Sequence, residues 1–296
     1  NNLPILPYLS SGVAGQTLVN VHIAFNLAQV AVLPFCRFLN GPMTQLLPDS
    51  VATESATPLI HRSVLDDEAL ISPALALASL KRETLRMTQI VEGMMLPVMD
   101  VYASYDKNRA KSLLVEDRAL SYALGSVRRY VAAIPHDTMR KRENKQAREL
   151  TEYAIALKSA GDIIIKNLLP LAEEKNEGHI SFSVAGQAEL VSMHERILAN
   201  LKLASNVLIS DDLASARLLL EEKTKMAHME RTSRKKHLRR LSEGTAKSFE
   251  SSDIHLETTR SLKEFNSHVS AVAYPILYRG GQLLETRLIE TLERDD

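Results

Sequence analysis

Two carboxylates lie where a helix would be expected to carry apolar side chains. Asp117 falls between Leu113 and Leu120 in an apolar stripe, and Glu222 ends the similar string LLLEE. A carboxylate facing a helical core needs a partner, because burying it bare is costly. One hypothesis is a divalent metal site at Asp117 and Glu222, since hard cations prefer converging oxygen ligands. The other is an ion pair of each carboxylate with a neighbouring Lys or Arg.

A polar stripe interrupts an otherwise apolar segment near the start of the chain. Leu18 to Phe35 carries no formal charge, and His22, Asn26 and Gln29 share one helical face. The run is close to the length of about 20 residues with which a helix crosses a bilayer. In a membrane such a stripe hydrogen-bonds to other helices or lines a polar substrate path, because lipid cannot satisfy it. A buried helix of a soluble core is the alternative.

Two basic stretches are candidates for binding anions. One contains Arg140, Lys141, Arg142 and Lys145, and the other places several Lys and Arg residues within 231–240. Such clusters attract anionic lipid headgroups or phosphate, whereas a solvated, salt-bridged helix face is the alternative. Interleaved aromatic residues that would stack on bases are missing, so we expect no nucleic-acid partner. Motifs for phosphate loops, paired zinc ligands and nucleophile elbows are also missing, so we expect no enzyme.

The elements that must position these residues are long helices. The 296 residues include 11 Gly and no Trp, and the formal net charge is zero. The single cysteine, Cys36, excludes an internal disulfide. Residues 40–73 contain Pro42, Pro48, Pro58 and Pro73 among small polar residues, which is typical of a linker. After Pro73, apolar residues recur in steps of three and four over six successive segments, which predicts six amphipathic helices with a kink at Pro97.

The six predicted helices form two similar sets of three. At a shift of 105 residues, LLVED at 113–117 falls on LLLEE at 218–222, and Pro170 falls on Pro275. The same shift places Leu157-Lys158 on Leu262-Lys263. Matches at one offset in two different helices indicate an internal duplication.

We therefore predict an all-α chain with three parts. The first is a short membrane-helical segment at 1–39, and the second is the linker at 40–73. The third, at 74–296, is an elongated six-helix bundle with three-helix repeats at about 74–172 and 180–292.

Three stretches resemble one protein family. NVHIAFNLAQVAVLPF resembles the closing membrane segment of bacterial sodium-dependent phosphate cotransporters. LDDEALISPALALASLKRETLRM resembles the stretch by which these transporters enter a PhoU-like domain. SSDIHLETTRSLKEFNSHVSAVAYPIL resembles the last long helix of that domain. Together the resemblance covers almost the whole chain.

The resemblance implies the carboxyl-terminal part of a transporter with a PhoU-like regulatory bundle. Sodium and inorganic phosphate would be the transported ions, and the upstream membrane helices, the bilayer and other copies of the chain would be the partners. The expected location is the bacterial inner membrane, with the bundle in the cytoplasm. The alternative is a soluble PhoU-type regulator that binds metal and a partner protein. In the PhoU metal pattern, an acidic residue is followed four residues later by another. Here Ser121 follows Asp117 and Met226 follows Glu222 at that spacing, so the pattern is only half kept.

Overall fold

The computed structural model describes residues 16, 19–20, 22–27, 63–135, 139–244 and 246–283. The chain divides into two units, Asn1–Thr57 and Pro58–Asp296. In the first unit, residues 22–27 are helical. Within the described ranges, no helix combines the length and the apolar character needed to cross a bilayer. Most of the predicted segment at 1–39 and most of the linker at 40–73 lie outside these ranges, so both assignments stay predictions.

The described ranges of the second unit consist of helices joined by short loops and contain no strand. Its α-helices are α1 Pro73–Met95, α2 Val98–Ala103, α3 Lys107–Ala133, α4 Lys141–Ile163, α5 Leu169–Glu177, α6 Val184–Ser210, α7 Leu213–Ser242, α8 Ala246–Glu250, α9 Ser252–Val269 and α10 Ala273–Arg279. A 3₁₀ turn at Asp67–Ile71 precedes α1, a π-helical turn at Ile164–Leu168 joins α4 to α5, and a 3₁₀ turn at Ser270–Val272 joins α9 to α10.

The prediction of six helices is wrong in number. In the described ranges eight α-helices have seven residues or more, because rods predicted as single helices are interrupted. Proline lacks the N–H that the helical ladder needs and crowds the preceding turn. Pro97 separates α1 from α2, as the sequence predicts, whereas Pro170 and Pro275 follow the π and 3₁₀ turns of two further rods.

Local sequence signals explain where the helices begin. The Asp106 side chain accepts a hydrogen bond from the Asn108 backbone N–H at 2.8 Å before α3, and Asp212 accepts one from Ser215 at 2.7 Å before α7. Pro73 stands at the first position of α1, where its missing N–H costs nothing. Asp211 ends α6 with φ at 53°, a left-handed conformation that Asp tolerates better than most residues.

The helices pack as two neighbouring groups. In the first, α1, α3 and α4 contact one another, and in the second α6, α7 and α9 do so. Contacts of α1 with α6 and of α4 with α9 join the two groups. Phe265, on α9, is fully buried, and the Tyr153 hydroxyl of α4 donates to the Val269 carbonyl of α9 at 3.3 Å. Side chains of both groups therefore share one core.

The segment before α1 is fastened to the bundle by backbone hydrogen bonds. The Val64 N–H donates to buried Glu83 at 2.8 Å, and the Asp66 N–H donates to the Ser79 hydroxyl at 3.0 Å. Glu83 also pairs with Arg86, one turn later on the same helix, at 2.6 Å. Residues 63–66 are therefore held against α1.

Candidate functional site

Asp117 pairs with a lysine of the neighbouring helix. Lys158 Nζ lies 2.9 Å from Asp117 Oδ1 and also bonds Asp162, one turn later on α4. Asp162 in turn pairs with Lys166 at 3.2 Å. The Asp117 and Lys158 side chains are only 20% and 17% exposed. The contact therefore joins α3 to α4 across a half-buried seam.

The surroundings favour the charged forms of this network. Burial alone would lower the pKa of Lys158, but hydrogen bonds to Asp162 and Asp117 raise it above its usual value. Burial alone would raise the pKa of Asp162, but Lys158 and Lys166 lower it below its usual value. The four side chains thus form a charge-balanced chain, which matches the ion-pair hypothesis for Asp117.

Glu222 is also held by cations. Arg196 of α6 bonds it, and Lys225 lies 2.7 Å from its carboxylate on the next turn of α7. Burial alone would raise the pKa of Glu222, but Lys225 and Arg196 lower it below its usual value. In the residues that the structure describes, no group of three or more His, Cys, Asp or Glu side chains is placed to hold a metal ion. Both carboxylates are paired with cations, and the metal role predicted for Asp117 and Glu222 stays a prediction.

The polar stripe of the first unit is described in part. His22 and Asn26 lie in the helical stretch 22–27, with both side chains exposed. Gln29 lies outside the described residues. Whether the three line a substrate path or bond other helices stays a prediction.

The first basic stretch lines a groove at one end of the bundle. We use the name basic groove for the surface formed by Lys81 of α1, Asp211, Arg279 at the end of α10, and six residues around the start of α4. These six are Arg140, Arg142, Glu143, Lys145, Gln146 and Glu149. It comprises two adjoining cavities of about 350 and 450 Å³, which share Arg142 and Gln146.

Ion pairs tie the wall of the basic groove together. Lys81 Nζ donates to the Ile209 carbonyl at 3.0 Å and pairs with Asp211 at 2.9 Å. Arg279 pairs with Glu149 and lies 3.6 Å from Asp211. These contacts link α1, α4, α10 and the end of α6, so the shape of the groove follows from the packing of the helices.

The second basic stretch follows the salt-bridged alternative in part. Arg239 pairs with Glu243 at 2.8 Å and Arg234 with Glu230 at 3.6 Å, each one turn apart on α7. Arg240 differs, because its guanidinium turns inward and bonds both carboxylate oxygens of Glu189 on α6, at 2.9 and 3.3 Å.

Glu189 is the centre of a buried polar cluster that the sequence analysis missed. The Ser233 hydroxyl donates to it at 2.6 Å, and His255 Nε2 of α9 lies 3.5 Å away. His255 stacks on His237 with ring centroids 4.7 Å apart. Burial alone would raise the pKa of Glu189, but His255, Arg240 and Ser233 lower it to about 2. The Glu189 carboxylate is therefore held ionised and balances the positive charge of Arg240 inside the bundle.

The spacing on α7 carries a signal for this cluster. Glu230, Ser233, His237 and Arg240 recur in steps of three and four, so they share a helical face. Glu230, Ser233 and His237 are buried. A polar face with this period, directed inward, predicts polar partners on the facing helices.

The chain resembles curated proteins over most of its length. No family model matches it. Along 90% of its length it is 29% identical to "Putative inorganic phosphate export protein YjbB" of Salmonella typhimurium, of which it covers 49%. It is 30% identical over 88% of its length to the protein of the same name from Escherichia coli K12, of which it covers 48%. The chain thus spans about half the length of the curated relatives it matches.

Solved structures share the arrangement of the helices. The phosphate transport system regulatory protein PhoU from Streptococcus pneumoniae superposes with a TM-score of 0.63 at 14% identity, covering 72% of this chain and all of PhoU. PhoU from Pseudomonas aeruginosa superposes with a TM-score of 0.60 at 14% identity, covering 71% of this chain and all of that protein. The bundle has the PhoU fold. The predicted all-α, PhoU-like bundle is thereby confirmed, whereas the sodium-dependent cotransporter family is not what these relatives are named for.

Proposed function

We propose that this chain is the carboxyl-terminal part of an inorganic phosphate transporter and that its PhoU-fold bundle regulates transport from the cytoplasm. The observation that carries the proposal is the extent of the likeness to the phosphate export proteins. Pro58–Asp296 makes up only 239 of the 296 residues, so an alignment over 88 to 90% of the chain must extend into the first unit. The relatives therefore share more with this chain than a PhoU-like bundle.

The transported ion in this proposal is inorganic phosphate. The curated relatives are named as exporters, whereas the resemblance in the sequence adds sodium as a coupled ion. In the first unit, His22, Asn26 and Gln29 would contact the other membrane helices or the phosphate path. The bundle would act by binding and conformational change, without catalysing a reaction. Association of two copies of the chain would be compatible with this role.

Labelled phosphate measures the proposed activity directly. Membrane vesicles from cells that express the encoding gene should move ³²P-phosphate faster than vesicles from cells with that gene deleted. Replacing sodium by choline tests the sodium coupling separately, since only a coupled transporter slows. Equal phosphate flux with and without the gene would contradict the proposal.

The second candidate is a free-standing PhoU-type regulator. It is favoured by the structural match, because the bundle covers the full length of both PhoU proteins. Recovery of the native protein in the aqueous fraction of broken cells, without detergent, would support it against the transporter. Stoichiometric iron, manganese or zinc that is lost in the Asp117→Ala, Glu222→Ala double variant would support its metal-binding form.

A further inference from the structure

We infer that the basic groove binds a phosphate group, carried either by free inorganic phosphate or by an anionic lipid headgroup. The choice of phosphate among oxyanions rests on the proposed function. The presence of an anion site rests on the side chains of the groove alone.

The carboxylates of the groove already form ion pairs or hydrogen bonds within its wall. Asp211 contacts Lys81 and Arg279, and Glu149 contacts Arg279. Glu143 accepts a hydrogen bond from the Arg140 backbone N–H at 2.7 Å. Each of the three carboxylates therefore already has a partner that belongs to the fold.

Three further cations of the groove have no carboxylate partner among the described residues. They are Arg140, Arg142 and Lys145, all close to the start of α4. Lys145 Nζ lies 4.8 Å from the Tyr278 ring centroid, and this contact brings no carboxylate to the lysine. Arginine offers a planar fork of N–H donors to phosphate oxygens, and lysine adds a point charge.

The packing of the helices does not require all three of these cations. At the 105-residue shift, Arg140 and Lys145 correspond to Thr245 and Glu250 in the second half of the chain, whereas Arg142 corresponds to Lys247. The same shift maps the start of α4 at Lys141 onto the start of α8 at Ala246. A corresponding helix start is thus made in the second half with one cation at these positions instead of three, so the packing does not account for the additional positive charge.

The groove also has room for the ligand. Its two cavities are each several hundred Å³, within the usual range for sites that take small molecules. They meet at Arg142 and Gln146, so a phosphate at this junction could receive N–H donors from both side chains.

The test compares two double variants of the full chain that change the net charge equally. Arg142→Gln with Lys145→Gln removes cations from the groove. Lys111→Gln with Arg118→Gln removes two exposed cations of α3 that lie outside it. Titration calorimetry with inorganic phosphate measures binding of the free anion. Flotation with phosphatidylcholine vesicles, with and without phosphatidylglycerol, measures binding to the anionic headgroup.

We expect the groove variant to weaken binding at least about tenfold and the α3 variant to leave it nearly unchanged. A loss confined to calorimetry assigns the site to free phosphate, and a loss confined to flotation on phosphatidylglycerol assigns it to lipid. Circular dichroism confirms that both variants fold. Absence of binding to the unaltered chain in both arms, or equal losses in the two variants, would overturn the inference. Gene-dependent phosphate flux alongside such a result would leave the proposed function standing.

Discussion

Glu189 connects three helices through one carboxylate. It lies on α6, receives Ser233 and Arg240 from α7, and faces His255 of α9. Neither ring nitrogen of His255 has a hydrogen-bond partner among the described residues. Glu189 is the carboxylate that faces both Arg240 and His255, so the stability of the cluster should depend on its charge.

Replacing Glu189 by Gln keeps the size of the side chain and removes its charge. Arg240 would then lie inside without a counter-ion, so we expect the free energy of unfolding to fall by about 2–4 kcal/mol near neutral pH. Glu195→Gln, an exposed change on the same helix, should cost less than about 0.5 kcal/mol. Urea unfolding of the two variants measures the difference.

The same substitution should alter the dependence of stability on pH. The pKa of Glu189 is lowered from 4.5 to about 2, so the folded state favours the ionised form. Its contribution is fully present above the unfolded pKa and is lost as the pH falls through the folded pKa. The unaltered chain should therefore approach the stability of Glu189→Gln as the pH falls from about 5 to about 2. A gap between the two that stays constant over this range would refute the assignment.

The pair of Asp117 with Lys158 gives a second prediction at this scale. Asp117→Asn should lower the free energy of unfolding by about 1–2 kcal/mol, because Lys158 keeps Asp162 but loses a half-buried partner. A double-mutant cycle with Lys158→Met isolates the pair. Additive effects of the two substitutions would show that the contact contributes nothing.

The sequence could predict the need of these carboxylates for partners but not the partners themselves. Asp117 lies on an apolar stripe, which is enough to demand a cation, a metal or a network. Its partner lies 41 residues away on another helix, where no spacing rule applies. The cluster around Glu189 was predictable in part, because the polar period on α7 is visible in the sequence, although it does not identify Glu189 or His255.

At the scale of elements, glycine allows α3 and α4 to approach closely. A Cβ added to Gly161 would lie 2.5 Å from Leu120 Cδ2, whereas one added to Gly93 of α1 meets nothing within 4 Å. Leu120 is fully buried, so it has little room to move. The glycine at 161 therefore sets the spacing of these helices.

The same substitution at the two glycines should have opposite effects. Gly161→Ala should lower the free energy of unfolding by about 1 kcal/mol or more through overpacking. Gly93→Ala should raise it by about 0.5–1 kcal/mol, because alanine reduces the freedom of the unfolded chain without a clash. Thermal unfolding followed by circular dichroism compares them. A gain in stability from both changes would show that the α3–α4 seam is loosely packed.

The spacing of apolar residues predicted the positions of the long helices better than the points at which they are interrupted. Apolar residues in steps of three and four fix which faces are buried, and Pro97 marks one interruption. Pro170 and Pro275 lie in rods that continue through a π turn and a 3₁₀ turn, because the chain can absorb a missing N–H by changing its local hydrogen-bond spacing. That adjustment depends on packing, which the sequence pattern does not contain.

For the whole molecule, fold and function differ in how directly the sequence indicated them. The helical bundle followed from amphipathic periods and its likeness to PhoU from the resemblance of two stretches, and the solved PhoU structures share the fold. The membrane role of residues 1–39 rests on the uncharged apolar run and on the resemblance, whereas the sodium coupling rests on the resemblance alone. The first stays a prediction because most of those residues lie outside the described ranges, and the second because the curated relatives are named for phosphate export without sodium.

The measurement that tests the central claim most directly is phosphate flux as a function of phosphate concentration, with and without the bundle. In membranes that carry the unaltered protein, the bundle should change the rate of phosphate transport as the phosphate concentration rises. A variant ending at residue 62 should still reach the membrane and move phosphate but should lose that adjustment. Identical concentration dependence of the two proteins, at equal amounts in the membrane, would contradict a regulatory role for the bundle.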